Sequence, residues 1–251
     1  MHARRSQTIL APAIALLLSC SASAQKSGPT SVDTAPAPVS IAAALGTPQR
    51  QAAEAALHGL ADRLSANSDA NGINRVMAVD DYARLRHASL GDGFEMNIVD
   101  PVALLAGQPL DACLRGTGQW RFLVIVAGKP VGLLTVERVG NEWKMVAAGA
   151  SGLAVEVAGV EARYAGETPR PRLRFIRSLQ AVADFIEVTY PSPFGEPVRR
   201  SYVPLASARA ALYDEQLRTD GFSAPPLPES EVGSRLIERV RLGMRDPRFM
   251  R

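Results

Sequence analysis

The segment WRFLVIVAGKPVGLLTVERVGNEWKMVAAG, residues 120–149, decides the fold. Its alternating apolar residues predict three β-strands joined by two tight turns. Gly128 with Lys129, and Gly140 with Asn141, each suit a two-residue hairpin loop that has glycine first. Both alternating sets of positions are apolar, whereas a half-solvated sheet shows one polar face. Both faces of this meander therefore need a cover.

The two loops set which side chains share a face of the meander. One face is predicted to carry Trp120, Phe122, Val124, Val126, Val131, Leu133 and Val146. The opposite face is predicted to carry Leu123, Ile125, Leu134, Val136, Trp143 and Met145.

Helical segments on either side of the meander can supply the cover. Thr47 and Pro48 suit the N-cap and the first position of a helix. The apolar positions of that helix recur at helical spacing: Ala53, Leu57, Leu60 and Leu64. The segment SGLAVEVAGVEARYAG has a second stripe: Leu153, Val157, Val160 and Tyr164. We expect the second helix to cover one face, and the first helix is a second candidate cover.

The rest of the chain adds further strands and helices. Asp100 suits the cap of a short helix in DPVALLAGQ, and strands are predicted at GFEMNIVD, RLRFIRS, ADFIEVTY and VRRSYVPL. Helices are predicted at residues 207–218 and in the C-terminal SEVGSRLIERVRLGM, whose apolar stripe is Val232, Leu236, Val240 and Met244. The pattern predicts an α+β fold, in which an antiparallel sheet (the three-stranded meander 120–148 plus further strands) is packed by helices.

The sequence divides into four parts. Residues 1–24 form a predicted export signal, and residues 25–46 form a tether rich in Pro, Ser and Ala. Residues 47–221 form the α+β domain, which is either one unit or two αβ units of similar plan that divide near residue 165. Residues 222–251 comprise a Pro-rich connector and the C-terminal amphipathic helix, which we expect to pack its apolar stripe on its own domain.

The pentapeptide VIVAG at the tip of the first hairpin resembles the inhibitory hairpin of cystatins, whose pattern is Q-x-V-x-G. Val126 and Gly128 match this pattern, whereas Val124 stands where the pattern has Gln. The resemblance covers five residues and implies a loosely cystatin-like plan, with a helix packed on an antiparallel sheet. Inhibition of cysteine proteases is not inferred from it.

The N-terminus has the pattern of an export signal. A positively charged MHARRSQT precedes the apolar run ILAPAIALLL, which is shorter than the ~20 residues that span a bilayer. The small residues ASA predict cleavage after Ala24. Alternatively, LLSC resembles a bacterial lipobox, and cleavage before Cys20 would leave a lipid on that cysteine. The protein is therefore predicted to be periplasmic or extracellular, either soluble or anchored to a membrane by the Cys20 lipid.

Composition narrows the class of protein. The chain has 251 residues, of which 47% are hydrophobic and 21% are charged, as in globular proteins. Its net charge of +3 falls to +1 once Arg4 and Arg5 leave with the signal, so nucleic-acid binding has no electrostatic support. Cys20 and Cys113 are the only cysteines, so the mature domain has no internal disulfide. No P-loop, dinucleotide or zinc spacing is present, and no cofactor is predicted.

Cys113 paired with His58 or His87 is the candidate catalytic arrangement. A cysteine nucleophile needs a neighbouring base or a helix N-terminus to be a thiolate at neutral pH. The surroundings of Cys113, LDACLRGTGQW, match no known nucleophile motif. A small buried hydrophobic role explains Cys113 equally well, and a solvated helix surface explains His58.

NSDANG, residues 67–72, resembles the first half of an EF-hand calcium loop. Oxygen ligands would come from Asn67, Asp69 and Asn71. The loop requires a bidentate Glu at its twelfth position, where this sequence has Ala78. A polar turn that ends a helix explains the same residues, and no metal is predicted.

Arginines in two neighbouring segments form the candidate binding patch. The alternation in RPRLRFIRS puts Arg172 and Arg174 on one strand face, and Arg199 with Arg200 would join them if the strands are neighbours. Outside the cytoplasm the anionic partner would be a lipid headgroup or a surface polysaccharide. A solvated strand face is the alternative explanation.

Three functional hypotheses follow from the sequence. The first is a non-catalytic binding or assembly module of the cell envelope, whose partner is an envelope protein. The second is a cysteine-dependent enzyme that uses Cys113 with His58 or His87. The third is a binder of anionic surfaces through Arg172 and Arg174, with membrane contact otherwise only through a lipid on Cys20.

Overall fold

The structure is a computed structural model and describes residues 47–66, 76–192, 198–213 and 225–246. The strands are β1 (Ser89–Val99), β2 (Leu114–Val126), β3 (Lys129–Val139), β4 (Glu142–Gly149), β5 (Arg172–Ser178), β6 (Ala183–Thr189) and β7 (Arg200–Pro204). The α-helices in the described ranges are α1 (Pro48–Ala66), α2 (Pro101–Leu105), α3 (Ser151–Tyr164), α4 (Ala206–Leu212) and α5 (Glu229–Gly243). Single 3-10 helices lie at Tyr82–His87 and Leu110–Cys113.

All seven strands join one sheet in the order β4-β3-β2-β1-β5-β6-β7. Every neighbouring pair is antiparallel except β1 and β5, which are parallel over three pairs centred on Asn97 and Ile176. The side-chain amide of Asn97 also donates to the Phe175 carbonyl at 3.2 Å. The predicted α+β class, with a mostly antiparallel sheet packed by helices, is confirmed. The cystatin-like resemblance is not confirmed.

The first hairpin loop lies one residue earlier than the sequence predicts. Ala127 and Gly128 form the loop, both at positive φ (48° and 75°), and Val126 pairs with Lys129. Two positive φ angles are typical of a type I′ turn, which matches the right-handed twist of the flanking strands. The second loop, Gly140 and Asn141, is confirmed, since Val139 pairs with Glu142 across it.

A bulge in the pairing of β2 with β3, between Val124 and Ile125, shifts the register by one residue and corrects the predicted faces of β3 and β4. Leu134 lies opposite Phe122 and Leu133 lies opposite Leu123, so each shares its partner's face. Residues that were predicted on the Leu123 face instead pack with Trp120: Leu134, Val136, Trp143 and Met145. A one-residue shift has this effect because side chains alternate with period two.

Helix α1 covers the Trp120 face of the sheet. It buries Ala53, Leu57, Leu60 and Ala61 against β2 and β3. The Arg50 guanidinium donates to the carbonyls of Leu90 and Gly91, at 2.8 and 2.9 Å, which fixes the start of the helix to β1. Thr47 caps the helix as predicted, since its Oγ1 accepts from the Arg50 amide at 3.4 Å.

Helix α3 covers the opposite face and spans both halves of the sheet. Val157, Val160 and Tyr164 pack in one cluster with Leu123 from β2 and Phe175 from β5. Helix α5 lies on the α1 side of the sheet, where its stripe packs over β5–β7 through Val232, Leu236 and Val240. The C-terminal helix therefore packs on its own domain, as predicted, although Met244 lies just past its end and is exposed.

The predicted cover is complete over the central part of β3 and partial at the far end of the meander. Residues 131–136 of β3 are buried on both faces. At the far end of the meander, Val139 and Val146 are 48% and 46% exposed. In the described part of the chain, no helix combines the length and apolar character needed to cross a membrane. The predicted signal, its alternative lipidation site Cys20 and the tether lie outside the described residues.

Candidate functional site

A groove of about 540 Å³ lies between the first half of α3 and the start of α4. Its lining is mostly apolar and comes from Gly152, Leu153, Val155, Glu156, Asp184, Ala206 and Ser207. Val155 remains 38% exposed on α3. Small-molecule and peptide sites in proteins have this size and are likewise mostly apolar with a few placed polar groups. The groove is therefore the candidate binding site.

Glu156 fixes the distance between the two helices that border the groove. Both of its carboxylate oxygens accept from the Ala206 amide at 3.0 Å, and Arg209 Nη2 donates to Oε1 at 2.8 Å. No side chain of α4 or of the residue before it caps this helix, so Glu156 of α3 satisfies its first amide. Because Glu156 and Arg209 are both buried, the groove is formed before any ligand arrives.

Asp184 forms the wall of the groove on the sheet side. Its carboxylate accepts from Arg177 Nε at 2.6 Å and from Arg177 Nη2 at 2.8 Å, one bond to each oxygen. This bidentate pair raises the pKa of Arg177. The Asp184 amide donates to Ser207 Oγ at 2.9 Å, which joins β6 to the first turn of α4. Both carboxylates of the groove therefore already have cationic partners.

Arg121 of β2 lies at the same aromatic ring as Arg177 but has no equivalent partner among the described residues. Its guanidinium carbon is 6.0 Å from the centre of the Phe175 ring, and that of Arg177 is 5.8 Å from the same ring. Burial and the nearby charge of Arg177 lower the pKa of Arg121, while Asp184 opposes this change. Among the described residues, the buried Nε of Arg121 has no hydrogen-bond acceptor.

Two residues in the left-handed backbone region lie two positions before residues that line the groove. Ala150 has φ 55° directly before α3, and Val182 has φ 54° two residues before Asp184. Val182 is also 60% exposed. A β-branched residue rarely adopts this conformation, and such strain often accompanies functional sites.

The structure brings together two of the four arginines of the predicted patch. Arg174 Nε donates to Glu187 at 2.5 Å and Arg174 Nη2 donates to Asp111. Arg200 lies 3.1 Å from Asp111 and 3.6 Å from Glu187. Burial alone would lower the pKa of Arg174, but its bonds to Glu187 and Asp111 raise it. Both guanidinium groups are therefore neutralised within the protein.

The other two predicted arginines, Arg172 and Arg199, are exposed. Arg172 and Arg200 lie in one row across the sheet, each paired with Thr189 of β6. Arg199 directly precedes β7, and its carbonyl accepts from the Tyr190 amide at 3.1 Å. Arg172 and Arg199 therefore mark the same end of the sheet.

Arg174 and Arg200 with Asp111 and Glu187 form the arginine cluster, whose buried member Glu187 also faces Tyr202. The Tyr202 hydroxyl lies 3.5 Å from Glu187 Oε1 and 3.4 Å from Glu229 Oε2. Burial and these two carboxylates raise the pKa of Tyr202. Glu229 in turn accepts from the Leu110 amide at 2.7 Å. The cluster thus ties β5, β6 and β7 to the 3-10 helix at Leu110–Cys113 and to α5.

Cys113 is a buried thiol that packs against α5. Its sulfur donates to carbonyls of the preceding turn, at 3.3 Å to Pro109 and 3.6 Å to Gln108. Burial and the charge of Asp100 raise its pKa, which disfavours the thiolate. His58 bonds to the Glu54 carbonyl on the exposed side of α1, and His87 is exposed at the end of a 3-10 helix. Within the described residues, no hydrogen bond joins Cys113 to either histidine.

We expect Cys113 to react slowly with a thiol reagent while the protein is folded. In a Cys20→Ser variant, Cys113 is the sole thiol. Its labelling at pH 7.5 should be at least about 100-fold slower than in 8 M urea, because the reagent can reach the buried thiol only after local unfolding. Free cysteine in the same buffer is the control for reagent activity. Rapid labelling of the folded protein would contradict the buried, neutral thiol and would favour the enzyme hypothesis.

The candidate calcium ligands Asn67, Asp69 and Asn71 lie outside the described residues. Within residues 47–66, 76–192, 198–213 and 225–246, no three side chains of His, Cys, Asp or Glu form a group that could hold a metal ion.

The sequence patterns did not identify the groove residues. Arg121, which is not part of the groove lining, had a signal in the sequence, since it is the only charge in the apolar strand segment WRFLVIV. A charge on an inward-facing strand position needs a partner. Glu156 had no such signal, because its partner Arg209 lies 53 residues away, and the pairing of Asp184 with Arg177 depends on the register of β5 with β6. Comparison with known proteins adds no relative, since no protein-family model, curated protein or solved structure matches the chain.

Proposed function

We propose that the protein is an exported, non-catalytic binding or assembly module of the cell envelope, and that the α3–α4 groove receives an apolar segment of a partner protein. The groove carries this proposal. It is preformed by the Glu156–Arg209 pair, and its lining offers apolar contact area. A preformed site loses little conformational freedom on binding, which favours affinity.

The chemistry of the lining favours binding over catalysis. Glu156 bonds to the α4 backbone and to Arg209, and Asp184 bonds to Arg177. Both carboxylates are therefore already engaged in bonds that hold the walls of the groove together, which favours a binding role for the groove. Leu153 and Val155 provide the surface on which an apolar side chain of the partner would pack.

The N-terminal sequence supports the export part of the proposal. A positively charged stretch, a short apolar run and small residues at 22–24 are the three features of a secretory signal. With cleavage before Cys20 instead, a lipid would hold the same module on a membrane through the 25–46 tether.

The two alternative hypotheses have less support. A buried thiol with a raised pKa does not suit the Cys113 enzyme. Arg174 and Arg200 already form ion pairs with Asp111 and Glu187. Binding to an anionic surface would therefore depend on Arg172 and Arg199.

We expect Val155→Glu to weaken partner binding. The carboxylate would enter an apolar groove without a cationic partner of its own, which should weaken the complex at least tenfold, or about 1.4 kcal/mol. The test places a photo-crosslinking amino acid at Val155 in cells that make the protein and identifies the crosslinked product by mass spectrometry. The Val155→Glu protein then competes with the wild type for the identified partner.

Val102→Glu is the matched control. Val102 is 70% exposed on α2, outside the groove, and should bind the partner like the wild type. The same crosslinker at Val102 should not trap that partner. If both positions trap the same proteins, or if both substitutions weaken binding equally, the groove is not the binding site.

A further inference from the structure

We propose that the turn between β5 and β6 and the C-terminal end of α5 together form a surface that binds an anionic lipid bilayer. This turn–helix surface has four exposed apolar side chains, which are Leu179, Val182, Leu242 and Met244. Two arginines flank the pair on α5. The contact is additional to the proposed function, because none of the four apolar side chains lines the α3–α4 groove.

Exposed apolar side chains are concentrated where α5 meets the β5–β6 turn. Among the described residues, nine large hydrophobic side chains are exposed, and four of them belong to the turn–helix surface. The two segments are in direct contact, because a Cβ at Gly243 of α5 would overlap the carbonyl group of Gln180 in the turn. Apolar side chains that gather in one patch mark an interaction site, whereas scattered ones need no explanation.

Val182 presents its side chain to solvent from a strained backbone. Its φ of 54° lies in the left-handed region, which a β-branched residue rarely adopts and which glycine or asparagine adopts more easily. Because the side chain is largely exposed, packing within the protein does little to compensate the strain. Strain of this kind is typical of positions that contact another molecule.

The charges beside the apolar patch favour an anionic partner. Arg241 directly precedes Leu242, Arg245 directly follows Met244, and both arginines are exposed. In the sequence, residues 241–251 contain four arginines and one aspartate, which is a net side-chain charge of +3. Anionic headgroups attract arginines near a bilayer surface, so the charge of a membrane complements this end of α5.

The shape of the surface favours a bilayer over a protein partner. Its apolar side chains come from the tip of a hairpin and the end of a helix, and not from the walls of a groove. Side chains at such tips can enter the headgroup region of a bilayer while neighbouring arginines remain beside the lipid phosphates. Apolar burial and electrostatic attraction then act together, as they do for interfacial amphipathic helices.

The turn–helix surface is distinct from the arginine patch that the sequence predicted. Arg172 is the first residue of β5, and Leu179 directly follows the last. At the usual rise of a strand, the two residues are about 20 Å apart. This separation allows a test in which equal numbers of arginines are removed from the two ends of the strand.

Flotation with large unilamellar vesicles measures the binding. The protein is the chain from Gln25, the product of the cleavage predicted after Ala24, which retains every described residue and lacks the apolar run of the signal. Vesicles of equal parts phosphatidylglycerol and phosphatidylcholine should bind it at least about tenfold more tightly than phosphatidylcholine vesicles. Added salt should weaken the binding, because ions screen exposed charges.

The double variant Arg241→Gln, Arg245→Gln should bind the anionic vesicles at least about tenfold more weakly than the wild type. The double variant Arg172→Gln, Arg199→Gln removes the same charge from the opposite end of the sheet and is the matched control. Its binding should stay within about twofold of the wild type. A larger loss in this control than in the first variant would assign the membrane contact to the predicted arginine patch and overturn the proposal.

Val182→Asn tests the apolar contact without a loss of stability. Asparagine accepts a φ of 54° more readily than valine, so the melting temperature should not fall, whereas vesicle binding should weaken at least about threefold. Leu242→Ser should weaken vesicle binding by a similar factor. Val139→Ser is the matched control, because Val139 is exposed to a similar degree at the far end of the meander.

Two results would overturn the proposal. The first is wild-type protein that binds anionic and zwitterionic vesicles equally, and the second is wild-type binding by the variants at Val182 and Leu242. A photo-crosslinking amino acid at Leu242 that traps a protein in cells would then identify the surface as a protein-docking site. Neither result affects the α3–α4 groove, whose partner is tested separately at Val155.

Discussion

Replacing Glu187 by Ala should lower the free energy of unfolding by about 3–5 kcal/mol. Glu187 is 2% exposed and lies between Arg174 and Arg200, with the Tyr202 hydroxyl nearby. Its removal leaves the largely buried Arg174 with Asp111 as its remaining acidic partner. Breaking one side of a buried ion pair is costly because the other charge stays desolvated. Urea unfolding followed by tryptophan fluorescence measures the change.

Two variants make the Glu187 result specific. Glu142→Ala removes an exposed carboxylate that lies 3.1 Å from Lys144 and should change stability by less than about 1 kcal/mol. The double variant Arg174→Met, Glu187→Leu replaces both charges by apolar groups and should recover most of the loss. If Glu187→Ala lowers the free energy of unfolding by less than about 1 kcal/mol, the ion pairs of the arginine cluster do not stabilise the fold as proposed.

Replacing Glu161 by Gln should change how stability depends on pH. Burial and the like charge of Asp92 raise the pKa of Glu161 to about 8, against the opposing effect of Arg170. Among the described residues, the buried Oε1 of Glu161 has no hydrogen-bond partner. The neutral carboxyl is thus the form that this site on α3 accepts, and ionisation there is unfavourable.

The sign of the pH effect follows from proton binding. Between pH 4.5 and 8 the unfolded chain releases the Glu161 proton while the folded chain keeps it, so stability falls as the pH rises. The contribution is fully present below the ordinary pKa and is lost by pH 8, at most about 5 kcal/mol in total. Glu161→Gln should match the wild type at pH 4.5 and exceed its stability at pH 8.5.

Urea unfolding at several pH values tests the Glu161 effect. The relevant quantity is the difference between variant and wild type, because other groups titrate equally in both. Glu238→Gln, at an exposed position of α5, is the matched control and should follow the wild-type pH profile. Parallel profiles for Glu161→Gln and the wild type would show that Glu161 is ionised in the folded protein.

Local patterns in the sequence predicted the elements of the fold because they report local physics. The stripes of α1 and α3 and the alternation in β2 predicted the helices and strands that the structure contains. Asp100 at the cap of α2 was visible for the same reason, since its carboxylate bonds to the amides two and three residues later. Such interactions lie within a few residues of one another.

The strand register and the strand order could not be predicted from the sequence, because local patterns do not specify which residues of two strands pair. Glycine tolerates either position of the loop, so Gly128 did not reveal that Ala127 would adopt positive φ. The parallel pairing of β1 with β5 joins residues about 80 apart. No alternation of apolar residues specifies which distant strand becomes the neighbour.

The candidate site was harder to predict than the fold. The prediction that Arg172 and Arg174 share a strand face agrees with their spacing on β5, but the carboxylates that neutralise Arg174 come from other elements. The groove needs Glu156 and Arg209, whose side chains meet from 53 residues apart. A site made from such distant segments exists only after the sheet has formed.

The parallel seam between β1 and β5 has a consequence for how the chain folds. On either side of it, each strand pairs with its neighbour in sequence, so these pairs close short loops at small entropic cost. The seam itself forms only three residue pairs, yet it closes a loop of nearly eighty residues. The conformational entropy of that loop is lost before the contacts across the seam can stabilise it. Helix α3 packs on both halves of the sheet, and the apolar area that it buries there offsets part of this entropic cost.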